Sequence, residues 1–61
     1  MKYNVGDIMY TKKPIKNISQ NAQVVITYVN KIGRDAEVDI KDIHGNTADK
    51  VSVKKLRRKR R

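Results

Sequence analysis

Gln23-Val24-Val25-Ile26-Thr27-Tyr28-Val29-Asn30, then Lys31-Ile32-Gly33-Arg34, then Ala36-Glu37-Val38-Asp39-Ile40-Lys41-Asp42-Ile43 decide how this chain folds. In the first run, Val24, Ile26 and Tyr28 share one face of a strand and Val25, Thr27 and Val29 the other, because side chains alternate along a strand. Both faces are largely apolar. The run therefore predicts a central strand covered at least in part on both sides, with Tyr28 in the core. Gly33 supplies the left-handed position of a short hairpin loop. The second run alternates cleanly: Ala36, Val38 and Ile40 point one way, and Glu37, Asp39 and Lys41 the other. That predicts a half-buried strand with one wet face.

Upstream, Val5-Gly6-Asp7 reads as a turn and Ile8-Met9-Tyr10 as a short strand. Pro14 has no N–H to give a ladder. Residues 12–21 thus predict a long irregular loop with room for one helical turn, where Ile15 and Ile18 tuck under as a lid on the core. Downstream, His44-Gly45-Asn46 is a second turn. Val51 and Val53 alternate with Lys50, Ser52 and Lys54 in a last short strand, and Leu56 is the final apolar anchor. Seven Val and seven Ile against one Leu fit pleated strands better than helices, and no sustained helical stripe appears. The expected fold class is all-β: a small five-stranded barrel over residues 1–56, with a disordered basic tail over 57–61. Barrel closure removes exposed sheet edges, which matters because the segment 23–29 would invite aggregation if left unpaired.

A chain of 61 residues makes at most one domain and leaves no room for a substrate cavity with its own walls. No cysteine is present, so neither a disulfide nor a thiolate metal site staples the fold. The start, Met1-Lys2-Tyr3-Asn4, is too polar for a signal peptide. The apolar run Val24 to Val29 is too short to span a bilayer. Frequent Lys, Ile and Asn without Trp or Phe point to an AT-rich genome, bacterial or phage; the lack of cysteine is compatible with a reducing cytosol, and a cytoplasmic location is the expectation.

The charge is local. Seven of the last eight residues are cations: Lys54, Lys55, Arg57, Arg58, Lys59, Arg60 and Arg61. Residues 1–53 hold eight Lys or Arg against six Asp or Glu, so most of the formal +9 sits at the C-terminus. Such a block binds polyanions by releasing their condensed counterions and steers encounter with them. The bland alternative is a solubilising tail. A polybasic block also holds anionic membrane surface, but nothing apolar accompanies this one to insert. In a eukaryotic host the same residues would serve as a nuclear-import signal. Lys12, Lys13 and Lys16 around Pro14 form a second candidate rim, and Lys31 and Arg34 flank the hairpin tip at Gly33. For all five, the plain alternative is solvation.

Other residues exclude as much as they suggest. Asp35, Glu37 and Asp39 form an outward row with Asp42 beyond it. Successive outward residues lie about 7 Å apart, too linear for a metal cage, so cross-strand pairing with Lys is their ordinary role. The row would repel phosphate, which directs nucleic acid to another face, and it could hold the basic tail when no partner is bound. Tyr10 suits either base stacking or a half-core place. His44 is the sole histidine and makes no metal site alone. Ser19 and Ser52 lie in no recognisable catalytic motif. No enzyme, metal or cofactor is expected.

The Val5-Gly6-Asp7 entry, the long first loop, three consecutive antiparallel strands and the closing Leu56-Arg57 resemble the Src-homology-3-like small barrels. Within these, the Tudor-type pattern is nearest. It has a strand ending in an Asp–turn–Gly–Asn motif, then a short strand and a terminal Leu; here these are Val38 to Asn46, Val51 and Leu56. The likeness covers nearly the whole chain but rests on spacing. One residue more separates Asp42 from Gly45 than in the usual motif. Only Tyr3, Tyr10 and Tyr28 are aromatic, so the set that builds a methyl-lysine or methyl-arginine cage is lacking. The resemblance implies a barrel of a class that often binds nucleic acid, and fold alone does not set function.

The expected function is a non-enzymatic, nucleoid-associated nucleic-acid-binding module. It favours double-stranded DNA with low sequence specificity, and RNA, including ribosomal RNA, stands next. No recognition helix is available for the major groove, and aromatics for single-strand stacking are few. The rival is a small phage or regulatory protein that docks on an acidic host protein, for example of the transcription machinery, through the tail and a sheet edge.

Overall fold

The computed structural model describes residues 3–58. Five strands follow in order: β1 Ile8–Thr11, β2 Gln23–Lys31, β3 Glu37–Asp42, β4 Thr47–Ser52 and β5 Leu56–Arg58, with a single 3-10 turn at Val53–Lys55. The fold is all-β. The strands form one antiparallel sheet in the order β4-β3-β2-β1-β5, compatible with a small barrel-like fold. The aggregation-prone β2 lies at the centre, paired on both sides.

One face of the sheet carries the core. Met9 of β1, Val24 and Ile26 of β2, Val38 and Ile40 of β3, Ala48 and Val51 of β4 and Leu56 of β5 are all buried. Ile15 and Ile18 cover this face from the long loop, as the sequence predicts. No helical turn forms there. Ile15 and Ile18 instead exchange two backbone hydrogen bonds of 2.8 Å across a two-residue turn. Thr11 closes the loop. Its hydroxyl donates to the Ser19 carbonyl at 2.6 Å and accepts the Ala22 N–H at 3.0 Å. Thr11 is fully buried, and losing either partner would leave a desolvated polar group, at about 1–3 kcal/mol.

Three expectations need correction. Tyr28 is 59% exposed rather than in the core. The cause is an irregularity in the ladder: Ile26 faces Ile40, but Tyr28 already faces Asp39. The extra residue of this bulge exchanges the two faces of β2, so Val29 packs against the core while Tyr28 turns to solvent. Val53 does not extend the last strand. After Ser52 the chain tightens into the 3-10 turn, whose Lys54 N–H is capped by the Ser52 hydroxyl at 3.2 Å. The folded part does not stop at Leu56. Arg57 and Arg58 belong to β5 and pair with Tyr10 and Met9; the remaining tail positions, 59–61, lie outside the described residues.

The barrel is also not closed. β4 and β5 end the sheet without pairing to each other. β5 has three residues, and β4 is bulged opposite Val38–Ile40. The 3-10 turn crosses between the two ends. Val53 N–H donates to the Ala36 carbonyl at 3.1 Å, and Lys12 N–H to the Lys55 carbonyl at 2.7 Å. Asp39 braces the bulges: its carboxylate accepts from the Asn30 amide and from the Lys50 N–H. A bulged edge of this kind discourages further strand pairing at β4.

Asp42 organises the β3–β4 turn. Its carboxylate accepts the His44 N–H at 2.9 Å, the Asn46 N–H at 2.8 Å and the Asn46 side-chain amide at 3.1 Å. Burial pushes this carboxyl up. The Asn46 side chain, the two backbone N–H groups and the charge of nearby His44 outweigh it and hold the group below the ordinary 3.8. A carboxylate whose folded pKa is depressed contributes stability above its unfolded pKa and loses it as pH falls through the folded one. The turn should therefore loosen only below about pH 4. The His44 and Asn46 amide shifts, followed by NMR from pH 6 to pH 2, should titrate below the ordinary aspartate range. A midpoint at or above that range would contradict this account.

Candidate nucleic-acid interface

The predicted basic residues come from four segments, joined by one backbone hydrogen bond and two side-chain contacts. Lys12 of the long loop is hydrogen-bonded to Lys55 of the 3-10 turn. Lys12, Lys13, Lys16, Lys54 and Lys55 are all exposed. Arg57 of β5 reaches the far end of the same loop, donating from Nη2 to Asn21 Oδ1 at 2.8 Å. Lys54 extends to the β2–β3 hairpin, where its ammonium lies 3.4 Å from Asp35. Arg34 neighbours Asp35 in that hairpin, and Lys31 ends β2; both are exposed. The turn at Val53–Lys55 is thus the hub that links the loop rim to the hairpin pair.

Arg58 has a different surrounding. Its guanidinium stands 5.1 Å over the Tyr3 ring and 3.5 Å from the Asp7 carboxylate. It ties the N-terminal segment to β5, and Asp7 in turn accepts the Asn4 N–H at 3.0 Å. Arg58 therefore carries structural contacts as well as charge. Lys59, Arg60 and Arg61 lie outside the described residues.

Glu37, Asp39 and Asp42 belong to β3, with β2 and β1 between it and β5 in the sheet order, whereas Asp49 belongs to β4, which runs on into the 3-10 turn. Asp39 and Asp42 spend their oxygens on backbone and amide donors. Asp35 of the predicted acidic row meets Lys54 of the basic block, through an exposed pair of the kind that contributes little to stability. The sequence offered no sign of Asn21, Asp7 or Tyr3 as partners of β5. Their sequence distance from it is bridged only by the β1–β5 pairing and the closed loop.

Among the described residues, no group of three or more His, Cys, Asp or Glu could hold a metal ion, and no helix is long and apolar enough to cross a membrane. Compared with known protein families, curated proteins and solved structures, the chain has no match.

Proposed function

We propose that this chain is a non-enzymatic nucleic-acid-binding module of the Src-homology-3-like small-barrel type. It grips the phosphate backbone with the loop, turn and β5 side of its sheet. The observation that carries the reading is the convergence of Lys12 with Lys55, and of Arg57 with the same loop, beside a C-terminal run of further cations. The strand order β4-β3-β2-β1-β5 supports the fold-family part of the proposal. Phosphate contacts set orientation and affinity without reading sequence. Duplex DNA with low sequence preference is therefore the leading partner, RNA comes second, and a nucleoid-associated cytoplasmic location follows.

Co-purification separates this from docking on an acidic protein. The chain isolated at low salt should carry material with a high ratio of absorbance at 260 nm to 280 nm, which nuclease and salt remove. A stoichiometric acidic protein in place of that material would favour the rival.

A further inference from the structure

Arg57 is held differently from the other described cations of the basic block. Lys54 and Arg58 lie beside carboxylates, those of Asp35 and Asp7. Among the described residues Arg57 is in no ion pair. A neutral acceptor holds it instead: Nη2 donates to the Asn21 side-chain carbonyl at 2.8 Å. Arg57 is also half-buried, whereas Lys54, Lys55 and Arg58 are exposed. Both ends of the contact are fixed on β1. Arg57 pairs with Tyr10 on one side of that strand. Asn21 lies on the other side, where its N–H donates to the Thr11 carbonyl at 2.8 Å and the next N–H, of Ala22, to the Thr11 hydroxyl. The guanidinium therefore reaches across β1 from β5 toward β2. Asn21 sits at a φ of 63°, in the left-handed region that Gly, Asn and Asp enter most readily. Gly there would bring no acceptor, and Asp would bring a negative charge. Asn supplies an acceptor and no charge.

We infer that Asn21 is a positioning residue, which holds Arg57 as a pre-oriented and fully charged ligand for a nucleic-acid phosphate. The inference deepens the nucleic-acid reading above and rests on it. A guanidinium carries five N–H donors in a fixed planar fork, and the Asn21 bond uses one of them. The rest of the fork meets phosphate oxygens in the paired geometry that arginine offers and lysine does not. A long side chain that is free to rotate loses conformational freedom when it docks. The Asn21 bond removes part of that freedom before the partner arrives, without neutralising the charge that attracts it. In this account Lys12, Lys13, Lys54 and Lys55 supply charge to the rim, and Arg57 supplies direction.

The test titrates the full chain with a short DNA duplex of mixed sequence at several salt concentrations. Asn21→Gly keeps the left-handed backbone and the net charge and removes only the acceptor. It should weaken binding about fivefold, with the slope of log Kobs against log salt unchanged. Asn21→Asp pairs with Arg57 and should make that slope shallower by about 0.9. In an Arg57→Gln background, Asn21→Gly should have no further effect, because the side chain it positions is gone. The wild-type chain supplies a check that needs no variant to fold. Its Arg57 Nε–H signal should be more ordered on the nanosecond timescale than that of exposed Arg34, and should shift when duplex is added. Undiminished binding by Asn21→Gly overturns the positioning role and leaves the phosphate reading standing. A loss that persists in the Arg57→Gln background also overturns it, because Asn21 then acts through the loop alone. So does an Arg57 signal as mobile as that of Arg34. A wild-type chain that binds neither duplex DNA nor RNA removes both readings.

Discussion

Val38→Asp is expected to leave no folded protein. Val38 is fully buried on β3, and its neighbours across the ladder are Val29 on one side and Val51 on the other. It packs within the cluster of buried apolar residues. An unpaired buried charge costs several kcal/mol even after relaxation. A chain of this length has roughly 3–9 kcal/mol of total stability, so one such charge consumes most or all of it. Far-UV dichroism should lose its β character and the amide spectrum should collapse to narrow dispersion. Ile40→Val, one position along the same face, deletes a single methylene and should cost only about 1 kcal/mol. It is the control that separates charge burial from loss of packing. A Val38→Asp protein with native dispersion would mean that the core on this face is not as closed as its burial indicates.

The second large effect is on binding. If each of the seven C-terminal cations met a phosphate on duplex DNA, log Kobs against log salt would fall with a slope of about −6. Deleting the block from Lys55 onward is the obvious variant but a poor one, because it also removes Leu56 and the β1–β5 pairing. The informative variant replaces Lys54 and Lys55 with Gln and ends the chain at Arg58. Leu56 stays in the core, and Arg58 keeps its place by Tyr3 and Asp7. Loss of five cations should make the slope shallower by about 4 and weaken duplex binding roughly a thousandfold near 0.1 M salt, almost equally for all sequences. Replacing Lys12, Lys13 and Lys16 together should have a smaller effect of the same kind. Titrations at several salt concentrations decide the matter. If the neutralised protein binds DNA and RNA as tightly and with the same slope, the basic block is only a solubiliser and the proposed function fails.

Much of this architecture was legible in the residues. The alternation of Ala36, Val38 and Ile40 against Glu37, Asp39 and Lys41 sets a strand with one buried face. The β-branched run from Val24 to Val29 sets its neighbour, and Gly33 and Gly45 mark the turns. Ile15 and Ile18 were legible as a lid because they are the apolar residues of an otherwise polar loop. These readings succeed because strand periodicity and turn chemistry are local properties of the chain. The concentration of charge after Val53 is equally local, and with it the candidate basic block.

Tertiary structure alone decided the rest. Tyr28 faces solvent because a bulge opposite Asp39 and Ile40 exchanges the faces of β2, and a bulge is a mismatch between two strands that neither strand spells alone. Arg57 and Arg58 form a strand because Tyr10 and Met9 offer an open edge; nothing apolar in Arg57-Arg58 announces it. Lys12 meets Lys55, and Tyr10 stands between Arg57 and Gln23, only through register, which couples residues dozens of positions apart. The sheet stays open because β5 is too short and β4 too bulged to pair, so the 3-10 turn crosses the gap instead. Pattern along the chain determined which residues could be strand, turn, core and cation. Pairing between distant segments determined which of them share a face, because that depends on register and closure rather than on any one stretch of residues.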